Sequence, residues 1–157
     1  MSAEPVPMTE EGKATILREI AELEQSRPGI KKAIEEARDK GDLRENADYH
    51  ASREELGMLN ARIAQLNGLL ANAVMIDTSQ APAGKVAMGA TVTLRRVKDG
   101  LELVRTIVGA GQADVINGRI LSTSPLAQAL MGAEAGQRVI ADLPMGKTEF
   151  EIISIQF

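Results

Sequence analysis

The sequence predicts an α+β chain: an N-terminal antiparallel α-helical coiled-coil hairpin followed by a small antiparallel β-sheet domain with one helix. Three observations carry this reading. Apolar residues recur at alternating spacings of three and four from about residue 9 to residue 73. The pattern collapses into DTSQAPAGK at 77–85, a Pro-, Gly- and Ser-containing segment, and from Ala90 onward short runs rich in Val, Ile and Thr are separated by turn residues. The boundary is placed in that segment, giving a hairpin over 1–78 with its tip at 41–48 and a sheet domain over 79–157.

The first helix is read from Thr9 onward. Ile16, Ile20, Leu23, Ile30, Ile34 and Ala37 form a heptad seam in which Arg27 occupies one expected apolar slot. Pro28 lies inside this pattern and lacks a backbone donor, which predicts a kink or short break at Arg27-Pro28. The connection is KGDLRENADYH, residues 40–50. Gly41 suits the left-handed position that follows a helix, and Asp42 with Glu45 has the spacing of a capping box for the next one. The second helix carries Tyr49, Ser52, Leu56, Leu59, Ile63, Leu66, Leu70 and Ala73 on its seam. Neither narrow stripe can be buried alone and the connection is short, so the two helices are expected to zip together antiparallel. Thirty helical residues span about 45 Å.

In the second half, ATVTLRRV, LELVRTIV, RVIADL and TEFEIISI read as strands. Asp99-Gly100 favours a tight hairpin turn between the first two. Ser124 is a helix cap with Pro125 at the first helical position, and PLAQALMG runs to a terminating Gly132.

Composition narrows the function. The 157 residues are 44% hydrophobic and 25% charged, as in globular proteins, and contain no cysteine, which excludes disulfides, thiolate metal sites and thiol nucleophiles. A net charge of -4 argues against holding free nucleic acid by phosphate neutralisation. Tyr49, Phe150 and Phe157 are the whole aromatic inventory, too few for a base-stacking platform. Any nucleic acid is therefore expected to be presented by a partner. MSAEPVPM lacks signal-peptide features and no apolar run approaches the roughly 20 residues that span a bilayer, so a cytoplasmic protein without membrane contact is expected.

Acids at the end of a hairpin gain nothing from a core. Capping and the helix dipole give Asp42 and Glu45 one structural role. Their carboxylates also suit a hard divalent cation such as Mg²⁺, but two ligands leave an octahedral site incomplete, so these acids would work beside another metal site and a phosphodiester. His50 is the one histidine, and surface packing is its expected role.

The segment GDLRENADYH followed by ASREE resembles the tip signature of the GreA/GreB family of bacterial transcript-cleavage factors. PMTEEG, RPGIKKAIEEARDKGDLREN, MIDTS, GATVTL and SPLAQALMG resemble the same family in the same order, so the likeness covers essentially the whole chain. The resemblance implies that the coiled coil enters the secondary channel of bacterial RNA polymerase while an FKBP-like C-terminal domain docks on the polymerase rim. It further implies a cofactor, not an enzyme, that stimulates the polymerase's own cleavage of backtracked nascent RNA. Asp42 and Glu45 match the family's essential tip acids, which help hold a Mg²⁺ shared with the polymerase and position its attacking water. Gly41, Asn46 and Tyr49 match tip-supporting positions, Arg38 and Arg53 match RNA-contacting ones, and Ser124 and Pro125 match the docking segment.

Residues 1–78 carry ten Lys/Arg against fifteen Asp/Glu, so no extensive basic face is evident, which within the family goes with action on short extruded RNA. Rival readings are a channel-binding inhibitor of the same family and a coiled-coil chaperone or scaffold. Prolyl isomerase activity is disfavoured by the scarcity of aromatics. A monomer is expected, because both seams are consumed within the hairpin.

Overall fold

A computed structural model of the protein describes residues 4–41 and 45–157. Two long helices, α1 (Glu10–Arg38) and α2 (Ala47–Ala71), are followed by a β-sheet domain with one short helix, so the α+β architecture read from the sequence holds. The chain divides into two compact units: Ala14–Asn72 forms one, and the described residues up to Lys13 together with Ala73–Phe157 form the other.

Thr9 starts α1, its Oγ1 accepting from Gly12 N at 3.1 Å, and Glu10 and Glu11 favour the positive end of the helix dipole. Of the seam residues, Ile16, Ile20, Ile30, Ala37, Tyr49, Leu59, Ile63 and Leu66 are buried, and Leu23, Ile34, Ser52, Leu56 and Leu70 are half-buried. Burying two stripes against one another removes apolar surface that neither helix could shed alone. Cross-ties run in opposite senses along the two helices, from Glu19–Arg62 through Arg27–Asn60 to Arg38–Tyr49, which fixes the antiparallel arrangement.

Helix α1 continues through Pro28 without the break expected there. Pro28 and Glu24, the residue one turn earlier, are both exposed, so water can serve the carbonyl that proline leaves without a donor. At its far end α2 stops at Ala71, and Asn72 closes it by donating from both its backbone N (3.2 Å) and Nδ2 (3.0 Å) to Gly68 O. Ala73, expected as the last seam residue, instead opens a strand.

That strand, β2 (Ala73–Met75), pairs in parallel with β1 (Val6–Met8). Met8 is fully buried, Ile76 N donates to Met8 O at 2.8 Å, and Ala110 N donates to Pro7 O at 3.1 Å. These bonds place the first described residues and the segment after α2 in the sheet unit.

The main sheet comprises β3 (Thr91–Arg96), β4 (Glu102–Val108), β5 (Arg119–Leu121), β6 (Arg138–Leu143) and β7 (Gly146–Gln156), in the order β5-β4-β3-β7-β6. The four longer strands lie where the sequence places them. The pairs β3–β4, β3–β7 and β6–β7 are antiparallel, but β5 joins β4 in parallel, so the sheet is mixed and not wholly antiparallel. One face packs Val92, Leu94, Ile107, Ala141, Phe150 and Ile152 against Ala127 and Leu130 of α3 (Pro125–Leu130). The β3–β4 connection is longer than a two-residue turn. Gly100 sits at φ +74°, and Asp99 accepts from Leu101 N at 3.1 Å and from Arg96 Nε at 2.9 Å.

Candidate functional site at the hairpin tip

The N-cap of α2 is Asn46, not Asp42. Its backbone is extended (φ -86°, ψ 96°) and its Oδ1 accepts from Tyr49 N at 3.0 Å. The other end of the same amide, Nδ2, donates to Ala37 O at 2.5 Å, in the last turn of α1. One side chain thus serves two helix ends, giving a geometric role to a residue assigned to tip support. The expected capping box over 42–45 is therefore replaced: Glu45 lies in the turn one residue ahead of the cap and is exposed. Asp48, in the first turn of α2, lies where the dipole favours an acid.

Gly41 adopts φ +136°, a backbone region that side chains with a Cβ rarely enter, three residues beyond the end of α1. The position calls for a glycine's backbone freedom, though it does not lie directly after the helix as a C-terminal cap would. Asp42 lies outside the described residues.

Tyr49 is the first buried residue of the α2 seam, and two cations approach its ring. The guanidinium carbons of Arg38, at the end of α1, and Arg53, one turn further along α2, stand 5.9 Å and 5.8 Å from its centroid. Arg53 NH1 also donates to the phenol oxygen at 3.4 Å. Hydrogen bonding from Arg38, and then from Arg53, holds the phenol below its usual ionisation range by favouring phenolate, outweighing the opposing effect of burial. The His50 ring meets Tyr49 edge-on, with centroids 5.6 Å apart, consistent with a packing role. The Tyr49–Arg53 half of this cluster is visible in the sequence as an i, i+4 pair. The Arg38 half requires the hairpin's register, and so does the bond from Asn46 to Ala37.

Among the described residues no group of three or more His, Asp or Glu side chains could hold a metal ion. At the tip, Glu45 is one exposed hard-oxygen donor, of the type Mg²⁺ takes, but a single donor does not make a site. In the sheet unit, Ser124 is the N-cap of α3, its Oγ accepting from Ala127 N at 3.4 Å, and Pro125 occupies the first turn and is exposed.

Two family models match in order along the chain: the transcription elongation factor N-terminal domain over residues 6–75 and the GreA/GreB transcription elongation factor C-terminal domain over 81–157. The chain belongs to the GreA/GreB family. Transcription elongation factor GreA of Pseudomonas putida is 42% identical over 158 residues, covering 99% of each chain. The GreA of Francisella philomiragia is 43% identical over 154 residues, covering 97% of this chain and 96% of its own. Among solved structures, the transcription factor Gfh1 shares the fold, with a TM-score of 0.50 and 23% identity over 99% of this chain and all of that one. The protein is a transcription elongation factor of the GreA type.

Proposed function

We propose that the protein inserts its helical hairpin into the secondary channel of bacterial RNA polymerase and stimulates the polymerase's own Mg²⁺-dependent cleavage of the backtracked RNA 3′ end, returning arrested complexes to elongation. The observation that carries this reading is Glu45, whose exposed carboxylate stands outside a helix already capped by Asn46, and so is not consumed by the structural role that acids at such a spacing usually serve.

On this reading the factor is not itself an enzyme. Asp42 and Glu45 provide carboxylate oxygens to a Mg²⁺ that the polymerase also ligates, and two such donors need that second set to complete an octahedral shell. The ion, when bound there, supplies Lewis acidity and a more acidic water. Asn46 and Gly41 hold the turn that carries the acids, and Arg38 and Arg53 contact extruded RNA. Ser124 and Pro125 dock on the polymerase rim. The factor acts as a monomer in the cytoplasm, where its polymerase works.

The test is RNA cleavage in a stalled, backtracked bacterial polymerase complex with no factor, with the native protein, and with the Asp42→Asn/Glu45→Gln double variant, polymerase binding being measured separately. Native protein should accelerate release of a short 3′ fragment. The variant should bind equally and lose stimulation by about 100-fold, at the upper end of what supporting metal-site groups contribute. Equal stimulation by both forms would remove the acids from the chemistry. Binding without stimulation by either would favour an inhibitor that only occupies the channel.

A further inference from the structure

The hairpin holds one buried aromatic ring within reach of two exposed arginines that come from different helices. Tyr49 is 7% exposed and locked in the seam, so it is the fixed element of the cluster, and the Arg38 and Arg53 guanidiniums rest over it with their heads open to solvent. Among the described residues neither arginine is ion-paired with a carboxylate. No described carboxylate neutralises either charge, and each guanidinium, while bonded to the Tyr49 phenol oxygen, keeps further N–H donors for phosphate oxygens. An arginine already held in place loses less freedom on binding than one that must be ordered by its ligand.

We propose that Tyr49 is a positioning residue for RNA: its ring and hydroxyl fix Arg38 and Arg53 relative to each other across the hairpin, so that the pair grips the RNA backbone as one preorganised unit. This rests on the cleavage-stimulating function proposed above and adds to it a residue that acts through the arginines.

Tyr49 is the chain's one tyrosine and there is no tryptophan, so tyrosinate absorbance reports this ring alone. In the whole protein, the phenol should titrate below the ordinary tyrosine value, and Arg38→Gln and Arg53→Gln should each move the midpoint upward. A midpoint that ignores both substitutions overturns the proposal. In the backtracked complex at saturating factor, Tyr49→Leu, which keeps an apolar seam residue but has no π face, should slow stimulated cleavage by about 10-fold and flatten its salt dependence. Tyr49→Phe should restore most of the rate, because the ring remains. Loss of rate with an unchanged salt slope, or a Leu variant equal to native protein, overturns the positioning role. If native protein gives no stimulation, the underlying function falls, and the RNA role with it.

Discussion

Asn46 and Ala37 join the two helices of the hairpin at their shared end: Asn46 Nδ2 donates to Ala37 O at 2.5 Å while its Oδ1 caps α2 through Tyr49 N at 3.0 Å. These two bonds can be separated by substitution. Asn46→Asp keeps a good cap acceptor but loses the donor and sets a carboxylate against a carbonyl, whereas Asn46→Ala loses both. At an ordinary N-cap, Asp and Asn are nearly equivalent, and Ala costs about 1 kcal/mol. Here Asn46→Asp should itself cost about 1 kcal/mol, since a net hydrogen bond is lost, and thermal unfolding followed by circular dichroism measures it. An Asp variant as stable as native protein would mean that the link to α1 contributes nothing.

One substitution made at two helical glycines should have opposite effects. A Cβ on Gly12 would collide with the Ala110 carbonyl oxygen, a backbone atom that cannot swing away, and Gly12 is buried. Gly57, exposed in the interior of α2, has nothing within 4 Å of the same position. Gly12→Ala should destabilise by about 1–3 kcal/mol through overpacking. Gly57→Ala should stabilise by about 0.5–1 kcal/mol by lowering the entropy lost on helix formation. Urea unfolding midpoints of the two variants on opposite sides of native protein are the expected result, and shifts of the same sign would contradict it.

What could be read in advance follows the length over which a signal accumulates. Heptad spacing repeats through both long helices, so each seam residue from Ile16 to Leu70 was recoverable, and β3, β4, β6 and β7 each carry six or more residues of strand chemistry. The strands β1, β2 and β5 have three residues each, too short for a period to show, and they are held by partners distant in sequence, such as Val6 with Ala73. At the tip the residue types were legible but their division of labour was not. The spacing from Asp42 to Glu45 satisfies a capping box, yet Asn46 wins the cap because its amide can serve α1 as well, a relation that exists only once the helices are paired.

Arg27 is the exception within the seam. It is half-buried in a slot the heptad assigns to an apolar residue, and it reaches Asn60 Oδ1 through Nε at 3.3 Å and NH2 at 3.1 Å. Exposed polar contacts of this kind contribute little, while an apolar side chain there would remove more surface from water. Arg27→Leu should therefore raise hairpin stability by about 1 kcal/mol, read as an increase in melting temperature. Asn60 is exposed and remains hydrated in the variant, so no buried polar group is stranded. A lower melting temperature would show that the Arg27–Asn60 tie outweighs the burial.

The β3–β4 connection should give the sheet unit a dependence on acid. Asp99 is paired with Arg96 and accepts from Leu101 N, and these contacts, the Arg96 hydrogen bond foremost, lower its pKa from 3.8 to about 2. A carboxyl with a depressed folded-state pKa stabilises the fold above its unfolded value and loses that contribution as pH falls through the folded one. The window thus runs from roughly pH 4 down to roughly pH 2. Asp99→Asn preserves an oxygen that can still accept from Leu101 N but removes the charge. The native-minus-variant difference in unfolding midpoint should be positive and level near neutral pH, shrink below about pH 4 and vanish toward pH 2. Because the pair is exposed, added salt should reduce the difference at neutral pH as well. A difference that stays constant across this pH range would place the role of Asp99 in its turn geometry and not in its charge.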